Sequence, residues 1–144
     1  MIGQAFSQQT IKTHLLRLEK GEELVSSLTE YITQNQIKLG MISGIGATDK
    51  FQLGLFNPQT KAYLSTEYQT PVEITSLLGN CSTMNGETYL HLHANMGDEQ
   101  NQVLGGHLNY AWISATAEII IQEIDGEVDR FFSEEIGLNL LKLT

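Results

Sequence analysis

At 144 residues the chain has the length of one ordinary domain, and its single cysteine, Cys81, excludes both an intrachain disulfide and a multi-cysteine zinc motif. Apolar residues make up 41% and charged residues 17% of the sequence, which excludes a disordered tail, and no apolar run reaches the roughly 18 residues of a membrane-spanning helix. The 17 acidic against 8 basic residues give a net charge of −9, and residues 62–129 contain no Lys or Arg, so this half repels a phosphate backbone and attracts cations.

Residues 10–18 read as a first strand. Residues 21–34 carry the clearest helical pattern: Leu24, Val25, Leu28, Tyr31 and Ile32 form one stripe, and Glu22 and Glu23 are expected in the first turn, where the helix dipole favours negative charge. Residues 37–45 read as an apolar second strand running into Ser43-Gly44-Ile45-Gly46-Ala47. These glycines lack the third Gly of a dinucleotide loop and the Gly-Lys-Ser/Thr of a phosphate loop, so they read as a bend with close backbone approach. Strands are expected at 51–56 and 62–68 around the Asn57-Pro58 turn, and at 72–81 and 88–95 across an Asn85-Gly86 hairpin. A helical turn is expected near residues 97–103. Asp125-Gly126 suggests a second hairpin, joining a long strand at 110–124 to residues 127–132. The apolar tail, 136–143, has the character of a segment that packs back onto the fold or onto a neighbouring subunit. Hairpins with one helix give an α+β class with a mostly antiparallel sheet, in one domain spanning 1–144.

Three of the four histidines fall within seventeen residues, as His91-Leu92-His93 and Gly105-Gly106-His107. On a strand, positions i and i+2 share a face, so His91 and His93 align while Leu90 and Leu92 turn to the core. His107 arriving from an adjoining strand would complete a three-histidine site with an open position, suited to zinc without excluding other divalent metals. Glu118, a lone carboxylate between Ala117 and Ile119, is a candidate fourth ligand or a partner that orients an imidazole. The competing reading makes His91 and His93 polar residues of a solvated strand face. His14 and Cys81 read as packing residues, Cys81 as a buried, inert thiol. A cupin is disfavoured because Met96 and Gly97 stand where that family's pattern places a carboxylate.

Taken together, Arg17-Leu18, Gly21-Glu22-Glu23-Leu24, Ile42-Ser43-Gly44-Ile45-Gly46-Ala47, Leu53-Gly54, Glu73-Ile74, Ser76-Leu77, Gly79-Asn80, His91-Leu92-His93-Ala94, Gly105-Gly106-His107-Leu108 and Thr116-Ala117-Glu118 resemble the plants and prokaryotes conserved (PPC) domain family over residues 17–121. The resemblance implies an antiparallel sheet crossed by a helix, assembled as a homotrimer. It implies a metal-binding cluster at the positions of His91, His93 and His107. Plant members pair the domain with AT-hooks that enter the DNA minor groove, whereas prokaryotic members are commonly the domain alone and are labelled DNA-binding by association. This sequence contains no AT-hook. Three functional readings follow for a cytoplasmic protein of this type: a trimeric binding module for a small ligand or divalent metal, a DNA-associated regulator, and a metal-dependent enzyme with His91, His93 and His107 around a reactive water. No residue pattern names a reaction, so the catalytic residues stay unassigned and the module is the preferred reading.

Overall fold

The computed structural model describes Gln4 and residues 11–143. The expected strand at 10–18 is β1, Lys12–Glu19, with Thr10 outside the described residues. The helix α1, Leu24–Gln34, presents Leu24, Leu28 and Ile32 as a fully buried stripe, in agreement with the spacing of the apolar residues. Its start corrects the sequence reading, because Glu23 is the N-cap and not a first-turn residue. The Glu23 carboxylate accepts hydrogen bonds from the backbone N–H groups of Val25 at 2.9 Å and Ser26 at 2.7 Å, and from that of Ala111 at 3.1 Å. One side chain therefore satisfies two orphan donors of the helix and ties its end to a strand distant in sequence. Glu22 lies outside the helix and accepts the Glu19 N–H. At the far end Ile37 N–H donates to the Ile32 carbonyl and Gln36 N–H to that of Thr33, with Gln36 at φ 56° and both isoleucines buried. This is a Schellman closure with its apolar contact, built on a glutamine instead of a glycine.

The strands are longer than the sequence pattern divides them. Residues 37–45 and 51–56 fall largely within one strand, β2, Gly40–Asn57, and residues 62–68 and 72–81 within another, β3, Ala62–Met84. Register shifts at Gly44/Gly46 and Thr48/Lys50 let β2 bend without leaving the sheet. At Gly46 an added Cβ would stand 2.7 Å from the Thr116 carbonyl oxygen, which is the close backbone approach expected of these glycines. The Asn85-Gly86 hairpin forms as expected, with φ of 54° and 83°, and leads into β4, Glu87–Gly97. No helical turn follows at 97–103. The Asp98 carboxylate instead accepts the backbone N–H groups of Gln100 and Gln102, forming a tight connection to β5, Val103–Glu123.

The main sheet has the order β1-β5-β2-β3-β4, entirely antiparallel, and β5 pairs with β4 as well. That extra pairing closes β2, β3, β4 and β5 into a ring at one end. The core lies between α1 and the inner face, with Phe51, Ile74, Leu77, Leu92, Met96, Ile119 and Ile121 among its fully buried side chains.

Asp125-Gly126 does not form the expected hairpin. Ile124 N–H donates to the Leu39 carbonyl and Thr83 N–H to that of Val128, so the chain leaves β5 and crosses to the outer end of β3. It then forms a separate two-stranded sheet from β6, Arg130–Ser133, and β7, Leu138–Leu141. Through this hairpin the apolar tail folds back onto its own chain. No helix of the described residues is long and apolar enough to cross a membrane.

Candidate metal centre

The β4 alternation buries Leu92 and turns Tyr89, His91 and His93 to the opposite face. The β4–β5 register then sets His107 directly across from His93, while on its other side His107 pairs with Gly54 of β2. Ring centroids are 5.1 Å apart for His91 and His93, 5.3 Å for His91 and His107, and 5.4 Å for His93 and His107. One nitrogen from each ring can be chosen so that all three lie within 4.8 Å of one another. Among the described residues no hydrogen bond engages any of the three rings. Both nitrogens of His14, by contrast, are taken, by the Tyr31 hydroxyl and the Glu123 carboxylate at 2.9 Å each. His14 thus has a packing role, fastening α1 to the β1–β5 edge.

Glycines make room around the histidines. A Cβ at Gly79 would run into the His91 carbonyl oxygen, and one at Gly54 would run into the ring of Tyr63. Tyr63 lies edge-on to His107 at 6.1 Å, and its hydroxyl donates to Asn109 Oδ1 at 2.8 Å, which sets its orientation.

Glu118 does not join the cluster. It lies eleven positions beyond His107 along β5, exposed beside Arg17 and Leu15 where β5 pairs with β1. Its apolar sequence neighbours reflect only the strand alternation, because Ala117 and Ile119 face the core. Cys81 is buried, with its thiol near the Gly40 carbonyl, and burial pushes its pKa up to about 11, so it is unreactive.

Arg130 is the site residue that sequence reasoning missed. It is only 5% exposed, and with the three histidines it lines a cavity of about 840 Å³ between the main sheet and the β6–β7 hairpin. The guanidinium donates to Ser82 Oγ at 2.8 Å, the Asn139 carbonyl at 2.9 Å and Asn80 Oδ1 at 2.9 Å, and lies 4.6 Å from the centre of the Tyr89 ring. A lone Arg after a run of acidic residues carries no local signal of this, since Asn80, Tyr89 and Asn139 come from three different strands.

Burial, then the positive charges that His107, Arg130 and His93 carry when protonated, lower the His91 pKa to about 4. Burial, then His93, lowers that of His107. Neutral imidazole at physiological pH is the form that binds a metal. The depressed His91 pKa has a consequence for the metal-free protein. An unfolded histidine takes up its proton near pH 6.5, whereas the folded His91 resists it down to about pH 4, so the stabilisation is complete above about 6.5 and is lost as the pH falls toward 4. The melting temperature of metal-free protein is expected to fall across this window, less steeply in His91→Gln. Equal slopes in melting curves of the two proteins would contradict this.

Residues 5–125 match the family model of the Plants and Prokaryotes Conserved (PCC) domain, the PPC domain of the sequence resemblance. The chain belongs to that family. A PPC protein from Pyrococcus horikoshii shares 30% identity and a TM-score of 0.89, over 98% of this chain and 99% of that one. A protein from Bacteroides thetaiotaomicron, described as a candidate DNA-binding protein, gives 30% identity and 0.89 over 95% and 99%. A protein from Archaeoglobus fulgidus described as metal-containing gives 32% identity and 0.86 over 99% and 95%. Comparison with curated proteins returns no match. The PPC match ends before Arg130, so the hairpin that roofs the histidine cavity lies beyond the matched residues.

Proposed function

We propose that this PPC-domain chain is a binding module that works as a homotrimer and holds a divalent metal, zinc by donor chemistry, on His91, His93 and His107. The convergence of three imidazoles free of hydrogen bonds to described residues carries the reading. Imidazole donors suit zinc, and the metal-containing relative from Archaeoglobus fulgidus supports the assignment. When bound, zinc on three histidines supplies a Lewis-acidic position open to water or a ligand oxygen. The chain's own residues hold the rings together, keep water partly excluded beneath the β6–β7 hairpin, and set Arg130 at the same cavity. The trimer is supported by large apolar side chains left exposed on the strands, among them Leu15, Leu55, Leu64 and Leu78, the last directly opposite His93.

DNA binding is the weaker reading, drawn from the description of the Bacteroides relative. Of the eight basic residues Arg130 is buried, and Lys12 and Arg17 each already face a carboxylate, Glu123 at 3.6 Å and Glu19.

Elemental analysis of protein purified without an affinity tag, run on a sizing column beside His93→Ala, tests the proposal. The expected result is a trimer with zinc that His93→Ala lacks. Metal-free wild-type protein that also fails to take up added zinc would overturn the metal site, and a monomeric elution volume would overturn the assembly.

A further inference from the structure

Arg130 is a cation in a place where cations are costly. Its side chain is taken out of water, yet no carboxylate of the described residues lies within ion-pair distance, and its three hydrogen-bond acceptors are all neutral oxygens. A guanidinium has five N–H donors, so the bonds to Ser82, Asn139 and Asn80 leave donor capacity. Those contacts and the Tyr89 ring hold the fork in place without neutralising it. Asn80, which accepts from Arg130, sits opposite His91 in the β3–β4 register, so the cation and the histidine cluster share one patch of sheet. The rest of the wall is largely apolar, with Leu55, Phe56, Leu138 and Leu140.

We infer that the cavity binds a small organic carboxylate, of the 2-hydroxy or 2-oxo acid class, with its carboxylate on Arg130 and its neighbouring oxygen directed to the histidine-held metal. The inference rests on the metal reading above and adds to it the ligand class. A buried guanidinium without a counter-ion selects an anion, and its planar fork matches a carboxylate. The volume, about 840 Å³, accommodates a small molecule, and the apolar wall suits a short hydrocarbon side chain on the acid.

The test uses protein loaded with cobalt(II), whose visible spectrum reports ligands entering the metal's surroundings, titrated with lactate and with its neutral analogue lactamide. Wild-type protein is expected to bind lactate at least about tenfold more tightly than lactamide, the scale of one charge-assisted hydrogen bond. Arg130→Met is expected to remove most of that preference. Should Arg130→Met fail to fold, Arg130→Lys, which keeps the charge and loses the fork, is expected to weaken lactate and leave lactamide unchanged. Cobalt uptake with equal affinity for the two ligands, or a lactate preference untouched by the Arg130 variants, overturns the carboxylate site and leaves the metal site standing. Failure to take up cobalt overturns the metal reading and this inference with it.

Discussion

Zinc affinity is expected to fall by more than about a hundredfold in His107→Ala, while Glu118→Gln binds zinc as the wild type does. Loss of a residue that merely orients a metal ligand typically costs ten- to a hundredfold, so loss of one of three direct nitrogen donors should exceed that. His91 and His93 remain on the same strand face in the variant, but two imidazoles do not close the site that the cross-strand pair of His93 and His107 completes. The backbone pairing of β5 with β2 and β4 does not need the imidazole, so the variant should fold. Glu118, at the opposite end of β5, has no means of reaching the metal within the chain. Competition against a chromophoric chelator measures both variants, with circular dichroism melts as the folding control. Retained affinity in the folded His107→Ala variant would exclude the three-histidine site.

The second large effect is expected at a residue with no donor atom. Gly79 of β3 pairs with Leu92 of β4, and a Cβ there would lie 2.8 Å from Leu92 Cδ2 and 2.9 Å from Leu92 Cα as well as meeting the His91 carbonyl. Two of these obstacles are backbone, which cannot rotate away, so Gly79→Ala must displace β4 at the step that carries His91. Overpacking of this kind costs about 1–3 kcal/mol, and the displacement should weaken zinc binding in parallel. Gly86→Ala provides the contrast. Its φ of 83° imposes local strain, but nothing lies within 4 Å of the new methyl group. That variant is expected to lose stability without losing zinc. Thermal melts and zinc titrations of the pair decide the matter, and a Gly79→Ala protein with wild-type zinc affinity would show that the close strand approach is not needed at the site.

The exposure of Leu78 beside His93 bears on both experiments. In the proposed trimer a neighbouring subunit would cover such apolar positions, so the sizing measurement and the zinc titrations belong on the same samples.

Several features were legible in the sequence because their physics is local. The α1 stripe follows from a period of 3.6, and the Asn85-Gly86 turn from the positive φ those two residues tolerate. The shared face of His91 and His93 follows from the two-residue period of a strand. The family match followed from motifs spread through the chain, and with it the antiparallel sheet and single main helix. Errors arose where a local signal was ambiguous. The weak polar stretch between residues 45 and 51 looked like a strand boundary, whereas register shifts absorb it within β2. Asp125-Gly126 looked like a hairpin, yet Gly126 has no positive φ and the chain crosses to β3.

By itself, then, the sequence determined the elements with a clear period, the family, and the pairing of two histidines on one strand face. Only the tertiary structure decided that β4 pairs with β5 and so brings His107 against His93, that β5 carries Glu118 to the other end of the sheet, and that the C-terminal hairpin seats Arg130 over Tyr89 beside the same cavity. The reason is that periodicity reports which face a side chain occupies. Which strands become neighbours, and in what register, depends on ring closure and packing between segments far apart in the chain.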